Sequence, residues 1–138
     1  MSGLDFLDTN ILVYALDVAD PRKHKIARPF LSKAVVGEFV TSTQVLAELA
    51  NSLLQKYPSK FTAQDVLVIL DSLKPIPLVK PDADMVCRAV EANAAYGIHF
   101  YDGMIVAAAE RAGSEKIWSE DLNAGQKYFG VAVENPFR

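Results

Sequence analysis

Four carboxylates in this sequence stand where chemistry is often built. Asp8 closes an apolar run and is followed at once by Thr9 and Asn10. Glu48 interrupts Val45-Leu46-Ala47 and Leu49-Ala50. Asp102 heads an apolar stripe, because Ile105, Val106 and Ala109 lie three, four and seven residues on and share its helical face. Asp121 follows Ser119-Glu120 at the end of another apolar segment. Several carboxylates meeting at one point would bind Mg²⁺ or Mn²⁺, hard cations that prefer oxygen ligands. Two such ions roughly 3.5–4 Å apart can clamp the attacking and leaving oxygens of a phosphodiester. The ions also cancel the charge that would otherwise repel a phosphate.

Each acid has a plainer reading. Asp8, Thr9 and Asn10 can all cap a helix start. Glu48, with Gln44, Ser52 and Gln55 as helical neighbours, can belong to a solvated face. Asp102 in a first turn suits the helix dipole, and Asp121 can make a turn before Leu122-Asn123. Asp102 argues hardest for function. Burying a carboxylate beside an apolar stripe is costly without a partner, and no basic residue lies within a helical turn of it. The shared placement at strand ends and helix starts strengthens the four together. His24 and His99 are the only histidines. His99 reads as a polar turn residue, Cys87 as core, and Tyr14 and Trp118 as packing residues.

The elements that must position these groups follow from periodicity and breakers. Residues 4–8 read as a short buried strand, 11–16 as a short helix and 22–36 as a longer helix stopped by Gly37. Residues 38–41 form a second strand candidate. Ser42-Thr43 caps a helix that runs to about Lys56 and stops before Pro58. Residues 62–74 are helical, with Thr62 as cap and Asp65 three residues later. Residues 76–79 form a strand between prolines. A helix over 81–96, with Val86, Ala89, Val90 and Asn93 along one side, ends at Gly97. A helix over 101–112 is apolar almost all round and must pack on more than one side. Strands over 116–119 and 131–134 complete the chain. Strands alternating with helices predict a parallel sheet covered on both faces. Sites in such sheets form beyond the carboxyl ends of the strands, which is where Asp8 and Asp121 fall.

The bulk composition sets bounds. The 138 residues, 51% apolar and 22% charged, suit one globular domain over 1–138. One cysteine excludes an internal disulfide and fits a reducing, cytoplasmic setting. The opening residues lack a secretory leader's basic start, and no stretch is long and apolar enough to span a bilayer. A net charge of −3 gives no general basic signal for nucleic acid. The densest cationic group, Arg22, Lys23, Lys25 and Arg28, reads as a solvated helix face.

At the four acids the sequence resembles the PIN-domain family, and within it the VapC-type toxins of toxin–antitoxin pairs. The matching pieces are Phe6-Leu7-Asp8-Thr9-Asn10-Ile11-Leu12-Val13-Tyr14, then Val45-Leu46-Ala47-Glu48-Leu49. Phe100-Tyr101-Asp102-Gly103-Met104-Ile105-Val106-Ala107-Ala108-Ala109, then Trp118-Ser119-Glu120-Asp121-Leu122-Asn123 and Asn135-Pro136-Phe137, complete the set. The resemblance implies a three-layer α/β/α sandwich with a central parallel sheet in which the first and fourth strands are neighbours. It implies a Mg²⁺- or Mn²⁺-dependent endoribonuclease with Asp8, Glu48, Asp102 and Asp121 around the metal and Thr9, Asn10 and Ser119 as polar supports. The expected products carry a 5′-phosphate and a 3′-hydroxyl. An antitoxin partner and a homodimer are implied too. The apolar faces of the helices over 43–56 and 62–74 could dock them, with Leu46, Leu49, Leu53, Val66, Ile69 and Leu70 as candidates, although most of these read better as core. Gly103 departs from the family's usual slightly larger residue, and Glu120, beside the motif position, reads as solvated. Two alternatives stay open. One is a non-catalytic module that keeps the fold. The other is an aspartyl-phosphate phosphatase, although such enzymes usually carry a second Asp where this chain has Asn10.

Overall fold

The computed structural model describes residues 3–56 and 61–138. Strand β1 (Asp5–Leu7) runs into helix α1 (Thr9–Leu16), and α2 (Pro21–Ala34) leads to β2 (Phe39–Ser42). Helices α3 (Thr43–Lys56) and α4 (Ala63–Ser72) precede β3 (Leu78–Val79). Helices α5 (Ala83–Tyr96) and α6 (Phe100–Arg111) then lead to β4 (Lys116–Trp118), β5 (Lys127–Tyr128) and β6 (Val131–Glu134). The six strands form one sheet in the order β3-β2-β1-β4-β6-β5. The expected α/β architecture is therefore present, and β1 does lie beside β4, with Phe6 opposite Ile117 and Leu7 opposite Trp118. The sheet is parallel except at one edge, where β5 pairs antiparallel with β6. That edge hairpin was not expected. Its turn places Phe129 and Gly130 at φ of 49° and 84°, and a phenylalanine is an unusual residue for such a turn.

Local chemistry explains most boundaries. Thr62 and Asp65 make a reciprocal capping box at the start of α4. Ser42 Oγ accepts the Val45 N–H at the start of α3. Gly97 closes α5 at φ 68°, a left-handed conformation that glycine adopts without strain. The stop at Pro58 lies outside the described residues. On α5 the buried residues are Met85, Ala89 and Ala92, while Val86 and Val90 are exposed. This corrects the expected face, since Met85 and Ala92 extend the Ala89 stripe at helical spacing. Helix α6 is buried without interruption from Gly103 to Ala109, as its all-round apolar pattern requires. Its approach to α5 is close: a Cβ on Gly103 would lie 2.7 Å from the Ala89 carbonyl oxygen. Among the described residues no helix is long and apolar enough to cross a membrane.

Candidate functional site

Asp8 ends the central strand β1 and caps α1, so one residue does both things its position allowed. Its Oδ1 accepts the Thr9 N–H at 2.7 Å, and its Oδ2 accepts the Ser119 hydroxyl at 2.8 Å. Its backbone N–H bonds the Trp118 carbonyl, which locks the carboxyl end of β1 to that of β4. Ser119 is fully buried. Its Oγ also accepts the N–H groups of Asp121 and Leu122, so a single hydroxyl sets the turn that carries Asp121 and holds Asp8 at the same time. Asn10, one residue into α1, donates its amide to Asp121 Oδ2 at 2.9 Å. The Thr9 hydroxyl reaches across to α3 and donates to Glu48 Oε2 at 2.6 Å. The three polar supports expected beside the acids thus each bond to at least one of them.

Glu48 is held from its own helix as well, since Gln44, one turn earlier, donates its amide to Glu48 Oε1 at 2.9 Å. The same amide bonds the Tyr101 carbonyl oxygen at 3.2 Å, tying α3 to the first turn of α6. Asp102 sits in that turn, half-buried, with no hydrogen bond among the influences on its carboxyl. His99 caps the same helix, its Nδ1 accepting the Tyr101 N–H. The polar turn residue is therefore the group that opens α6, beside Asp102.

The electrostatics place the four acids in one neighbourhood. Burial pushes the Asp8 carboxyl up to about 6, against the lowering hydrogen bonds from Ser119 and Thr9, with Asp121 and Glu48 adding repulsion. Asp102 is raised by burial first, then by Asp121, with the His99 ring opposing and Glu48 adding a smaller push. Asp121 is raised by burial, Glu120 and Glu48, and lowered by the Asn10 amide. Among the described residues no lysine or arginine forms an ion pair with any of the four. Glu120 is the acid that is paired: it binds Lys23 and accepts the Tyr14 hydroxyl at 2.8 Å. The expectation of a solvated Glu120 is thereby corrected. Cys87, expected in the core, is exposed.

The donors fit a hard divalent cation in chemistry, being all oxygen. They do not form a closed cage. Among the described residues no three Asp, Glu, His or Cys side chains are placed to hold one ion together. Mg²⁺ needs no such cage, because it is usually bound by one or two carboxylates and keeps several waters. An ion here would be shared by these acids through water as well as directly.

The PIN-domain family profile matches residues 6–129. The chain belongs to the PIN-domain family. Among solved structures it is similar to a Mycobacterium tuberculosis VapC toxin described as cleaving the sarcin-ricin loop. That match has 18% identity and TM-score 0.68 and covers 85% of this chain and 91% of that one. It is also similar to a toxin–antitoxin complex from Klebsiella pneumoniae, at 19% identity and TM-score 0.70, covering 96% and 97%. The FitA–FitB complex of Neisseria gonorrhoeae aligns at 20% identity and TM-score 0.66 over 97% and 99%. At these identities the likeness is one of fold. No curated protein sequence matches the chain significantly.

Proposed function

We propose that residues 1–138 form one PIN-type unit that acts as a Mg²⁺-dependent endoribonuclease, the toxin of a toxin–antitoxin pair. One observation carries the reading. Among the described residues Asp8, Glu48, Asp102 and Asp121 share one site at the carboxyl end of β1 and β4 and repel one another, and no lysine or arginine forms an ion pair with any of them, the His99 ring alone easing Asp102. A purely structural cluster would carry a lysine or arginine, because unpaired buried charge is costly. The residues in fixed roles are Asp8, oriented by Ser119 and Thr9, and Glu48, oriented by Thr9 and Gln44. Asp102 and Asp121 keep more carboxylate oxygen available, Asp121 giving one oxygen to Asn10. A bound Mg²⁺ or Mn²⁺ would supply the positive charge a phosphodiester needs and activate water as nucleophile. The toxin–antitoxin reading draws on the family and on the complexes among the similar structures.

Purified protein incubated with a labelled RNA pool should cleave it with Mg²⁺ or Mn²⁺, leaving 5′-phosphate ends, and stop in excess chelator. Parallel incubations with single-stranded DNA and with a phosphatase substrate separate the alternatives. Phosphate release without chain cleavage would establish the phosphatase. Binding of RNA without cleavage under any divalent cation would establish the non-catalytic module.

A further inference from the structure

Beside the acids lies a hollow of about 380 Å³ lined by Gln44, Ala47, Glu48, Asn51 and Tyr101. Its size falls within the range of small-molecule sites. Four of its residues come from one face of α3, at positions 44, 47, 48 and 51, and the fifth comes from the first turn of α6. Tyr101 is 58% exposed, which is unusual for a large ring in a helix whose next residues are buried throughout. The ring is nevertheless held. It stacks on His99, centroids 5.9 Å apart and planes 24° apart, and Phe100 meets it edge-on at 5.1 Å. Gln44 commits its amide nitrogen to Glu48 and to the Tyr101 backbone, which leaves its carbonyl oxygen as an acceptor. Asn51 is exposed and adds both a donor and an acceptor.

We infer that this hollow is a nucleobase pocket, with Tyr101 as its stacking face and Gln44 and Asn51 as the groups that read the base edge. The inference rests on the ribonuclease reading above and names where that enzyme's sequence preference is set. Single-stranded RNA is recognised by splaying bases onto aromatic rings and hydrogen-bonding their edges. Glu48 lines the hollow and belongs to the acidic cluster, so a nucleotide with its phosphate at the acids carries its base toward Tyr101. The lining is mostly apolar, as the faces of a base require, with the two amides to meet its polar edge.

The test uses the full chain and the variants Tyr101→Leu, Tyr101→Phe and Asn51→Ala. Short fluorescein-labelled single-stranded RNAs are titrated in Mg²⁺ on an Asp102→Asn background, chosen to stop cleavage, and followed by anisotropy. A randomised RNA pool is then cut in Mg²⁺ and the ends sequenced. Stacking on one aromatic implies that Tyr101→Leu weakens binding by about 5- to 150-fold, while Tyr101→Phe retains it. Asn51→Ala shifts the base preference on one side of the cut. Both side chains are exposed, so the variants should melt with the wild type; should Tyr101→Leu fail to fold, Asn51→Ala carries the test alone. Binding lost in Tyr101→Leu, with no cleavage even by wild type, supports the pocket and overturns the nuclease. Wild-type cleavage with identical affinities and cut sites in Tyr101→Leu and Asn51→Ala overturns the pocket and leaves the nuclease standing. Loss of a co-purifying protein partner in Tyr101→Leu, with RNA binding intact, overturns it in favour of a protein occupant.

Discussion

Asp8 is a charge kept in a place that does not want one. Its carboxyl, held at about 6 against an ordinary 3.8, keeps its proton in the folded chain at pH values where the unfolded chain has already released it. The folded state thus binds more protons than the unfolded state between about pH 4 and pH 6. Metal-free stability should fall as pH rises through that window and level off above it. The shift corresponds to a loss on the order of 3 kcal/mol. Asp8→Asn removes the charge and keeps the Thr9 cap, though its amide cannot replace the bond from Ser119, a loss of about 1 kcal/mol. The larger effect wins. Asp8→Asn should melt no lower than wild type in chelator at pH 7, show a flatter pH dependence, and lose cleavage. A melting temperature clearly below wild type would identify Asp8 as a structural residue. Asp102→Asn, which removes another repelled carboxyl, should likewise leave metal-free stability unchanged or raised while abolishing cleavage. Ser119→Ala is the opposite case. It strands Asp8 and the Asp121 and Leu122 amides together and should cost about 1–3 kcal/mol in urea melts, and its cleavage should need a higher pH than wild type because Asp8 ionises later. Asp8, Asp102 and Asp121 stood out in the sequence as candidates because strand ends and helix starts are local features, whereas Glu48, inside α3, was picked out by the resemblance. The pairing of Glu120 was not legible, because its partner Lys23 lies 97 residues away. Cys87 misled for another reason, since a cysteine's usual burial says nothing of which face of α5 it occupies.

At the scale of elements, Gly103 is what lets α6 press against α5. An added methyl meets Ala89 backbone at 2.7 and 3.2 Å, atoms that cannot swing aside. Gly103→Ala should therefore destabilise the chain by about 1–3 kcal/mol, although alanine is the better helix former by up to about 1 kcal/mol. It should also lower cleavage per folded molecule by moving Asp102 next door. Urea denaturation and activity on the same samples would check both, and a more stable variant would refute the close packing. The helices with caps and breakers could be read closely, α3 to the residue and α4 and α5 to within two residues at each end. The α5 face could not, because Val86 and Met85 are equally apolar and only the position of α6 chooses between them. The β5–β6 hairpin escaped because its left-handed corner is Phe129. That residue is held by tertiary contacts: its N–H bonds the Tyr96 hydroxyl at 2.8 Å, and the Arg88 guanidinium lies 3.5 Å from its ring.

For the whole molecule, the homodimer that the resemblance implies needs an apolar surface, and burial narrows which residues could supply it. Leu49, Leu53 and Val66 are core, so they cannot dock anything, while Leu46, Ile69 and Leu70 are half-buried. Among the described residues of this region, the large apolar side chains that are exposed are Leu54, Leu67 and Val68. Light scattering should give a dimer for wild type and a monomer for Leu67→Glu combined with Val68→Glu, with unchanged helix content. A wild-type monomer at high concentration would remove the dimer. The sheet order has a further consequence, in time rather than space. The strand made first, β1, lies between β2 and β4, and Asp8 meets its orienting hydroxyl on Ser119 only across 111 intervening steps of chain. Synthesis proceeds at about 5–20 residues per second, so Asp121 is added roughly 6–23 s after Asp8. Until Ser119 has been added, Asp8 lacks the hydroxyl that orients it, so the first of the four acids to be made waits longest for its place in the site.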